Sequence, residues 1–554
     1  MADLRSELKR LRDRIKTKTR DSAKPAAKHA TAKTTPEWVR DKPTRRPAPP
    51  PRRAAPLVLS PVPARRPQPS IQANRSSPEQ HKQPSPNKPP QPSQPLPVPT
   101  TYRPLPAVEL TRQDRFRVPE AWVTAGGKTQ YVDSGHRGAA DIYIGLDFGT
   151  SFTKAAVGFK DKIYPVSWSG VSKTSPSYLL PSEYTELESG LLFLGQHPYA
   201  DASRVRRDLK LPFLNPFVST PSITTAATFI ALVLRYIRAW VYHHHGATLG
   251  ASRLRWQLNI GAPSNGPDDA RLGKAYTTLA ATGWQRSIEC DVTRLAQSGE
   301  EPWREGKQLQ DLVDLKVHAE FVAQMAGYMQ SPQRQPGLHA LVDVGGGSLD
   351  VVTFIVLQVE EEDTFPFLVS QVHPLGTHGI LQNRLVGSEP INGAGVIDGL
   401  APIPSVEAFS KATRLSETHV SSRDALYSDK FSGIVQRVLS TTKARRYRLS
   451  NAWQTSVRTF FTGGGSNAQL CRNALHAAKV PSANGLHVMP LPAHRNLDGF
   501  SGAVEDYQRI SVACGLAQDS FTLGRIVPAK EVGDDLIATP AAAGRVDRDD
   551  LYPK

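Results

Sequence analysis

Between about residue 141 and residue 520, short apolar segments alternate with longer segments in which apolar residues recur every three or four positions. The short segments are typical of β-strands, and the longer ones are typical of amphipathic helices. Strands are predicted over 142–149, 153–159, 253–263, 339–346, 349–357 and 456–464. Helices are predicted over 222–242, 267–282, 315–329, 429–446 and 467–479. Because the two kinds of segment interleave, we expect packed α/β layers.

The first 140 residues follow a different pattern. Four apolar residues on one helical face predict a short amphipathic helix over 1–22, namely Leu4, Leu8, Leu11 and Ile15. From residue 23 to residue 140 the chain is rich in proline and in basic residues, and it has few residues that could build a core. This composition predicts a disordered arm with polyproline II character. We expect order to begin near Asp141.

The positive charge of the protein is concentrated in this arm. Of the 554 residues, 39% are hydrophobic and 47 are proline, and the formal net charge is +17. Residues 1–140 contain 28 Lys and Arg residues against 11 Asp and Glu residues, so they carry the whole excess. We therefore expect the arm to recruit a protein partner, with nucleic acid or an anionic membrane as alternatives.

Cysteine usage and hydropathy bear on the compartment. The three cysteines are far apart and form no CxxC pair, which argues against a disulfide scaffold or a Cys-rich zinc site. The N-terminus lacks the apolar core of a signal peptide. The most apolar segment, 228–242, carries Arg235 and Arg238 and is too short and too charged to span a bilayer. We expect a cytoplasmic protein with no transmembrane segment.

Three glycine turns, each after a predicted strand, carry the candidate chemistry. The first contains Asp147, Gly149, Thr150 and Ser151, with Lys154 seven residues after the aspartate. The second contains Asp343, Gly345, Gly346, Gly347, Ser348 and Asp350. The third contains Gly464, Gly465 and Ser466. Each turn alone is a weak signal, but three in this order, with an aspartate heading the first two, are hard to explain as ordinary hairpin turns.

The chemistry of such turns follows from their residue types. Glycine lets backbone N–H groups approach phosphate oxygens because no Cβ stands in the way. A carboxylate at the end of a strand can hold Mg²⁺, usually through water, since this ion gives up its hydration shell reluctantly. A nearby lysine adds positive charge toward the phosphates. The pattern therefore predicts a site for phosphate groups with Mg²⁺, and the resemblance described next implies that the phosphates are those of ATP or ADP.

The three turns together resemble the phosphate-1, phosphate-2 and adenosine motifs of the actin, sugar-kinase and heat-shock 70 ATPase superfamily. The sequence DVGGGSLDVVTF is most similar to the second phosphate loop of the DnaK-type heat-shock 70 branch. LPSEY (180–184), LNIGAPSN (258–265), HAEFVAQMAGY (318–328) and RISVACGLA (509–517) also resemble segments of that branch, although Phe321 replaces an expected proline. The resemblance covers about residues 141–520.

The resemblance implies an actin-like, ribonuclease H-like fold of two lobes, 141–335 and 336–520, followed by a tail over 521–554. That tail is too short for the peptide-binding β-sandwich and helical lid of a chaperone. We therefore expect the motor of a chaperone without its substrate-binding domain.

The resemblance also implies residue roles. Asp147 and Asp343 would bind hydrated Mg²⁺, Asp350 would bind the metal shell or support its loop, and Glu320 would lie near the attacking water. The phosphate loops would be Gly149, Thr150 and Ser151 on one side and Gly345, Gly346, Gly347 and Ser348 on the other, while Gly464, Gly465 and Ser466 would face the adenosine. The implied reaction is in-line attack of water on the γ-phosphoryl group, driven by positioning and electrostatics, with lobes that close and reopen.

The catalytic lysine stays open between two residues. Lys154 stands where actins, plasmid-segregating actin homologues and some sugar kinases have a lysine. Lys210 is the candidate for the lysine that DnaK-type proteins supply from a small hairpin subdomain. For Lys154 the alternative is a solvent-facing hairpin lysine, and for Glu320 it is an ordinary charge on a helix surface.

Four functions compete at this stage. The first is a heat-shock-70-like ATP hydrolase that acts as a nucleotide-dependent switch and recruits partners through its arm. The second is an actin-like filament-forming or segregation-type ATPase, favoured by Lys154. The third is a small-molecule kinase, against which the GGGSLD type of the second loop counts. The fourth is a nucleotide-binding scaffold with little turnover.

Overall fold

The computed structural model describes residues 125–133, 135–168, 177–195, 204–215, 217–263, 269–289, 302–356, 364–387, 402–502, 504–519, 525–527 and 532. All of them belong to one compact unit. The predicted helix over 1–22, the arm up to residue 124 and most of the tail over 521–554 lie outside the described residues.

The described strands and helices interleave along the chain, so the predicted α/β class is confirmed. The strands are β1 (Gly138–Asp147), β2 (Phe152–Phe159), β3 (Lys162–Pro165), β4 (Leu180–Pro181), β5 (Tyr184–Glu186), β6 (Leu192–Leu194), β7 (Val205–Arg206), β8 (Ser252–Ala262), β9 (Leu312–Ala319), β10 (Gly337–Val344), β11 (Leu349–Val356), β12 (Thr364–His373), β13 (Val457–Thr462), β14 (Leu486–Met489) and β15 (Arg525–Val527). The helices are α1 (Thr220–Leu249), α2 (Ala270–Glu289), α3 (Glu320–Met329), α4 (Thr377–Leu385), α5 (Val406–Thr413), α6 (Glu417–Arg445), α7 (Gln469–Ala477) and α8 (Val504–Leu516).

Two large mixed sheets share one strand order. The first sheet runs β3-β2-β1-β8-β9, with β4 beside β2, and the second runs β14-β13-β10-β11-β12-β15. In the first, β1, β2 and β3 are antiparallel neighbours, and β8 and β9 continue parallel to β1. In the second, β10, β11 and β12 are the antiparallel neighbours, and β13 and β14 continue parallel to β10. The same order of directions therefore occurs twice, a repeat that the amino-acid pattern does not reveal.

Helices α3 and α8 lie between the two sheets. Each follows the last parallel strand of its sheet, α3 after β9 and α8 after β14. A buried apolar cluster joins both helices to both sheets, and Phe321, Met325, Val352, Phe460 and Tyr507 belong to it. Gly515 lets the backbone of α8 pack directly on Ala323 of α3. The two halves of the protein thus meet through a dry, closely packed helix pair.

Helix α1 is longer than the predicted segment 222–242. Ser219 caps it by accepting a hydrogen bond from the Ser222 amide, and Gly250 ends it with a positive φ of 55°. By length and composition alone it is, among the described residues, a candidate membrane span, but 72% of its most apolar 18-residue window is buried inside the protein. Its apolar surface belongs to the core beneath the first sheet.

The predicted helix over 315–329 begins too early. Residues 315–319 were expected to begin a helix, but they form the end of β9, where Lys316 pairs with Asn259 of β8. The alternation of Val313, Leu315 and Val317 with polar residues is the strand signal that the longer helical pattern masked.

Order also begins before Asp141. Residues 125–133, expected to belong to the disordered arm, pack on the first sheet and α1: the indole of Trp256 donates to the Thr129 carbonyl oxygen at 2.7 Å, and Tyr242 donates to that of Lys128 at 2.7 Å. These long-range contacts order a segment that has no strong strand or helix pattern of its own.

Candidate functional site

The first two glycine turns occupy equivalent places in the two sheets. The first joins β1 to β2, and the second joins β10 to β11. Across the first hairpin Asp147 pairs with Lys154, and across the second Asp343 pairs with Asp350. Each turn therefore presents one aspartate at the end of a central strand and one charged residue opposite it.

The two turns face each other so closely that only glycine fits between them. A Cβ atom placed on Gly347 would lie 2.6 Å from Thr150 Oγ1, and one placed on Gly346 would collide with Ser151 Oγ. Since β-carbons do not approach other atoms so closely, a larger residue at either position would have to displace these side chains or push the turns apart. The structure thus brings together two predicted phosphate loops that lie almost 200 residues apart in the chain.

Ser182 holds the first turn in shape. Its amide donates to the Ser151 carbonyl oxygen at 2.9 Å, and its hydroxyl donates to the Gly149 carbonyl oxygen at 2.7 Å. These bonds turn both carbonyl groups toward Ser182. LPSEY (180–184) was among the segments whose sequence resembles the heat-shock 70 branch, but that resemblance gave Ser182 no role.

The junction of β12 and α4 holds the second turn. The amides of Thr377 and His378 donate to the carbonyl oxygens of Gly345 and Gly346 at 3.0 and 2.8 Å. The His378 ring reaches the other side, where Nε2 lies 3.4 Å from Ser151 Oγ. His378 therefore contacts both turns, and the sequence pattern offers no signal for it because the contact is wholly tertiary.

Charged side chains converge beside the turns. Lys154 donates to Asp147 at 2.8 Å, and Lys210 donates to Glu320 at 2.6 Å. Lys210 follows the small three-stranded sheet β6-β5-β7, and Glu320 is the first residue of α3. Both candidate lysines thus belong to the same cluster, each paired with a predicted site carboxylate.

Burial dominates the electrostatics of this cluster. Burial raises the pKa of Glu320 and the pKa of Asp343, and the negative charge of Asp147 raises both of them further. Burial also raises the pKa of Asp350 to about 7, with the charges of Glu320 and Asp343 acting in the same direction. Burial alone would lower the pKa of Lys210, but its carboxylate neighbours, Glu320 first, raise it above the usual value. Crowded, buried carboxylates of this kind favour bound cations.

The third turn contacts the same cluster. Gly463 has a φ of 79°, and a β-carbon there would collide with the carboxylate of Asp343. Ser466 donates to the Gly463 carbonyl oxygen at 2.8 Å, and Gln508 of α8 donates to the Ser466 hydroxyl at 3.2 Å. Gly464 faces open space: among the residues that the structure describes, no other atom lies within 4 Å of the place a β-carbon would take.

The donor set fits a hydrated cation better than a fully dehydrated one. Within the described ranges, no group of three or more His, Cys, Asp or Glu residues is arranged to enclose a metal ion. Asp350 Oδ1 is nevertheless buried without a hydrogen-bond partner there. Carboxylates that reach a metal mainly through its water molecules are the environment that Mg²⁺ prefers. The residues present therefore fit the predicted ion.

Comparison with known proteins adds no family name. No protein-family model matches the chain, and the search of curated proteins found no match.

Proposed function

We propose that the protein is a heat-shock-70-like ATPase of actin-like, ribonuclease H-like fold, with lobes formed by residues 141–335 and 336–520. The repeated strand order of the two sheets supports this fold, because each central strand ends in a glycine turn at the same place. The close packing of α3 on α8 supports a junction about which the lobes move.

The proposed activity is hydrolysis of ATP with Mg²⁺. One observation carries it: two glycine turns from different sheets face each other beside four carboxylates and two lysines, namely Asp147, Glu320, Asp343, Asp350, Lys154 and Lys210. Backbone N–H groups on both sides suit a chain of phosphates, and the excess of carboxylates suits a divalent cation.

Within this proposal each residue has a role. The turn glycines, Thr150, Ser151 and Ser348 bind phosphate oxygens, and Gly464, Gly465 and Ser466 face the adenosine. Asp147, Asp343 and Asp350 hold the hydrated Mg²⁺, which when bound neutralises phosphoryl charge. Glu320 orients the attacking water. Lys154 and Lys210 stabilise negative charge on the phosphates, and their release from Asp147 and Glu320 accompanies binding.

The same arrangement supports a switch. Ser151 lies in the first lobe and Gly346 in the second, so a phosphate held by both turns ties the lobes together, and its loss frees them. We propose a cytoplasmic protein whose basic arm recruits a protein partner, with nucleic acid and an anionic membrane as the other classes to test.

The position of Lys154 favours a second candidate function. The alternative interpretation of Lys154 was a hairpin lysine that faces solvent. Instead, its ammonium group contacts Asp147 inside the charged cluster. A lysine at this place is typical of filament-forming actin homologues, so ATP-dependent polymerisation is the alternative. Sedimentation and negative-stain images of the full chain with ATP separate it from a switch, which would stay in the supernatant.

The test of the proposal is titration of the full chain with ATP and Mg²⁺, with phosphate release followed in parallel. Asp343→Asn should abolish release, because it removes a charge from the metal site while keeping the shape. Asp498→Asn is the matched control, since Asp498 is an exposed carboxylate paired with Lys162. Absence of ATP binding by the wild type would refute the proposal, whereas binding without release would leave only a nucleotide-binding scaffold.

A further inference from the structure

Gln324 makes a polar contact between the two halves that none of the predicted roles includes. It lies on α3, which follows the first sheet, and its amide nitrogen donates to Asp343 Oδ2 of the second sheet at 2.7 Å. Gln324 is 1% exposed. Burying this amide costs desolvation free energy, and only one carboxylate bond across the junction offsets that cost. The placement of Gln324 therefore needs a reason beyond packing.

The carbonyl oxygen of the Gln324 side-chain amide makes no contact of this kind among the described residues. Gln324 Oε1 is buried and has no hydrogen-bond partner among the described residues. Glu320 lies one helical turn before it, so both side chains are on the same face of α3. A buried acceptor beside Glu320 and Asp343 suits a donor that the protein itself does not supply, such as a water molecule.

The two aspartates of the turns are held in different ways. Asp147 is held by the ammonium group of Lys154, which neutralises it, whereas Asp343 is held by a neutral amide. An amide fixes the orientation of the carboxylate and leaves its full charge available to a cation. Hydrogen bonds of this kind to metal-binding carboxylates typically set metal affinity.

From this geometry we propose that Gln324 is a positioning residue for the divalent cation. Its side-chain nitrogen orients Asp343 across the junction of the two halves. Its carbonyl oxygen accepts a hydrogen bond from a water molecule of the metal shell. This role rests on the proposed function. Because Gln324 lies on α3 and Asp343 lies in the second sheet, the affinity for Mg²⁺ depends on the position of α3 relative to that sheet. Closure of the lobes and metal affinity are therefore coupled.

The test measures binding and does not depend on activity. ATP affinity of the full chain is determined by calorimetry in EDTA and then at increasing MgCl2. For Gln324→Met, which keeps the side-chain volume, we expect unchanged affinity in EDTA and an increase of about 10- to 100-fold in the Mg²⁺ concentration at which affinity is half-enhanced. Gln324→Asn, one methylene too short to reach Asp343, should show the same shift and replaces the first variant if that variant does not fold.

Gln330→Met is the matched control. Gln330 caps the end of the same helix and contacts Gln518, with an oxygen 3.2 Å from His494 Nδ1, so its loss also removes an amide from α3. It should lower the melting temperature without moving the Mg²⁺ dependence. An unchanged Mg²⁺ dependence in both Gln324 variants overturns this role while leaving the ATPase proposal intact.

Two wild-type results would also be decisive. If ATP affinity is the same with and without Mg²⁺, there is no metal for Gln324 to support, and the inference falls although nucleotide binding stands. If the wild type does not bind ATP at all, the proposed function fails and this role fails with it.

Discussion

Asp147 and Asp343 occupy equivalent positions at the ends of two central strands, but the residues opposite them carry opposite charges. Lys154 pairs with Asp147, and Asp350 pairs with Asp343. The first hairpin is therefore electrically balanced, whereas the second concentrates negative charge. The repeated strand order therefore carries an asymmetric distribution of charge, and within the proposed function the second hairpin is the one that attracts the cation.

Lys210 is expected to stabilise the folded protein as well as the reaction. Lys210→Met leaves the largely buried Glu320 carboxylate without its cation, and breaking such a pair typically costs about 3–5 kcal/mol of unfolding free energy. Denaturant unfolding should detect this loss, and phosphate release should fall with it. Lys162→Met is the control, because the Lys162–Asp498 pair is equally short but exposed, so its removal should leave both unchanged. Equal effects of the two variants would contradict the prediction.

Gly346→Ala should weaken nucleotide binding by separating the turns. The new methyl group would collide with Ser151 Oγ, and even after that hydroxyl rotated away it would lie 3.2 Å from Ser151 Cβ and from the Ser151 backbone nitrogen, so the turns have to shift apart. We expect ATP affinity to fall at least about 10-fold, because each weakened hydrogen bond to a charged phosphate oxygen costs about 1.5–3 kcal/mol. Calorimetric titration measures it. Gly433→Ala is the control: its methyl group meets open space in α6, so affinity should be retained and stability should rise by about 1 kcal/mol.

Asp350 should make the ligand-free protein less stable as pH rises. Its pKa is about 7 in the folded protein, against 3.8 for an unperturbed aspartate, so between these values the folded state binds more protons than the unfolded state. The stabilisation is complete below about pH 4 and is lost as pH rises through 7. Asp350→Asn does not titrate. Urea unfolding from pH 5 to pH 8 should therefore show the variant gaining stability relative to the wild type, and parallel pH profiles would contradict the assignment.

Residues 125–133 should be required for a stable first half. A chain that begins at residue 135 leaves buried donors without acceptors, including Arg238, which donates to the Gly126 carbonyl oxygen at 2.7 Å, and the Trp256 indole. Each lost acceptor costs about 1–3 kcal/mol, so calorimetry should show a lower melting temperature. A chain that begins at residue 120 keeps these contacts and should melt like the full protein. Equal melting of both truncated chains would show that the segment is dispensable.

The pattern of apolar residues was enough to identify the α/β class and the approximate positions of six of the fifteen described strands and five of the eight described helices. Strand β2 was predicted over 153–159 and occupies Phe152–Phe159, and β11 was predicted over 349–357 and occupies Leu349–Val356. Such strands are recognisable because burial on both faces demands runs of apolar residues. Helix α6 begins twelve residues earlier than predicted, at Glu417, because the buried face of its first turns, Val420, Asp424 and Tyr427, is interrupted by an aspartate that pairs with Arg384.

The candidate site residues could also be identified from the sequence, but the residues that contact them could not. Glycine turns and strand-end aspartates have local signatures, so Asp147, Asp343 and the turn glycines could be named from the sequence alone. Ser182, Gln324 and His378 have none, because an isolated serine, glutamine or histidine acquires meaning only from what it faces. Only tertiary packing decided that Lys210 meets Glu320, that two distant turns touch, and that one strand order occurs twice, since these relationships join residues that are far apart in the chain.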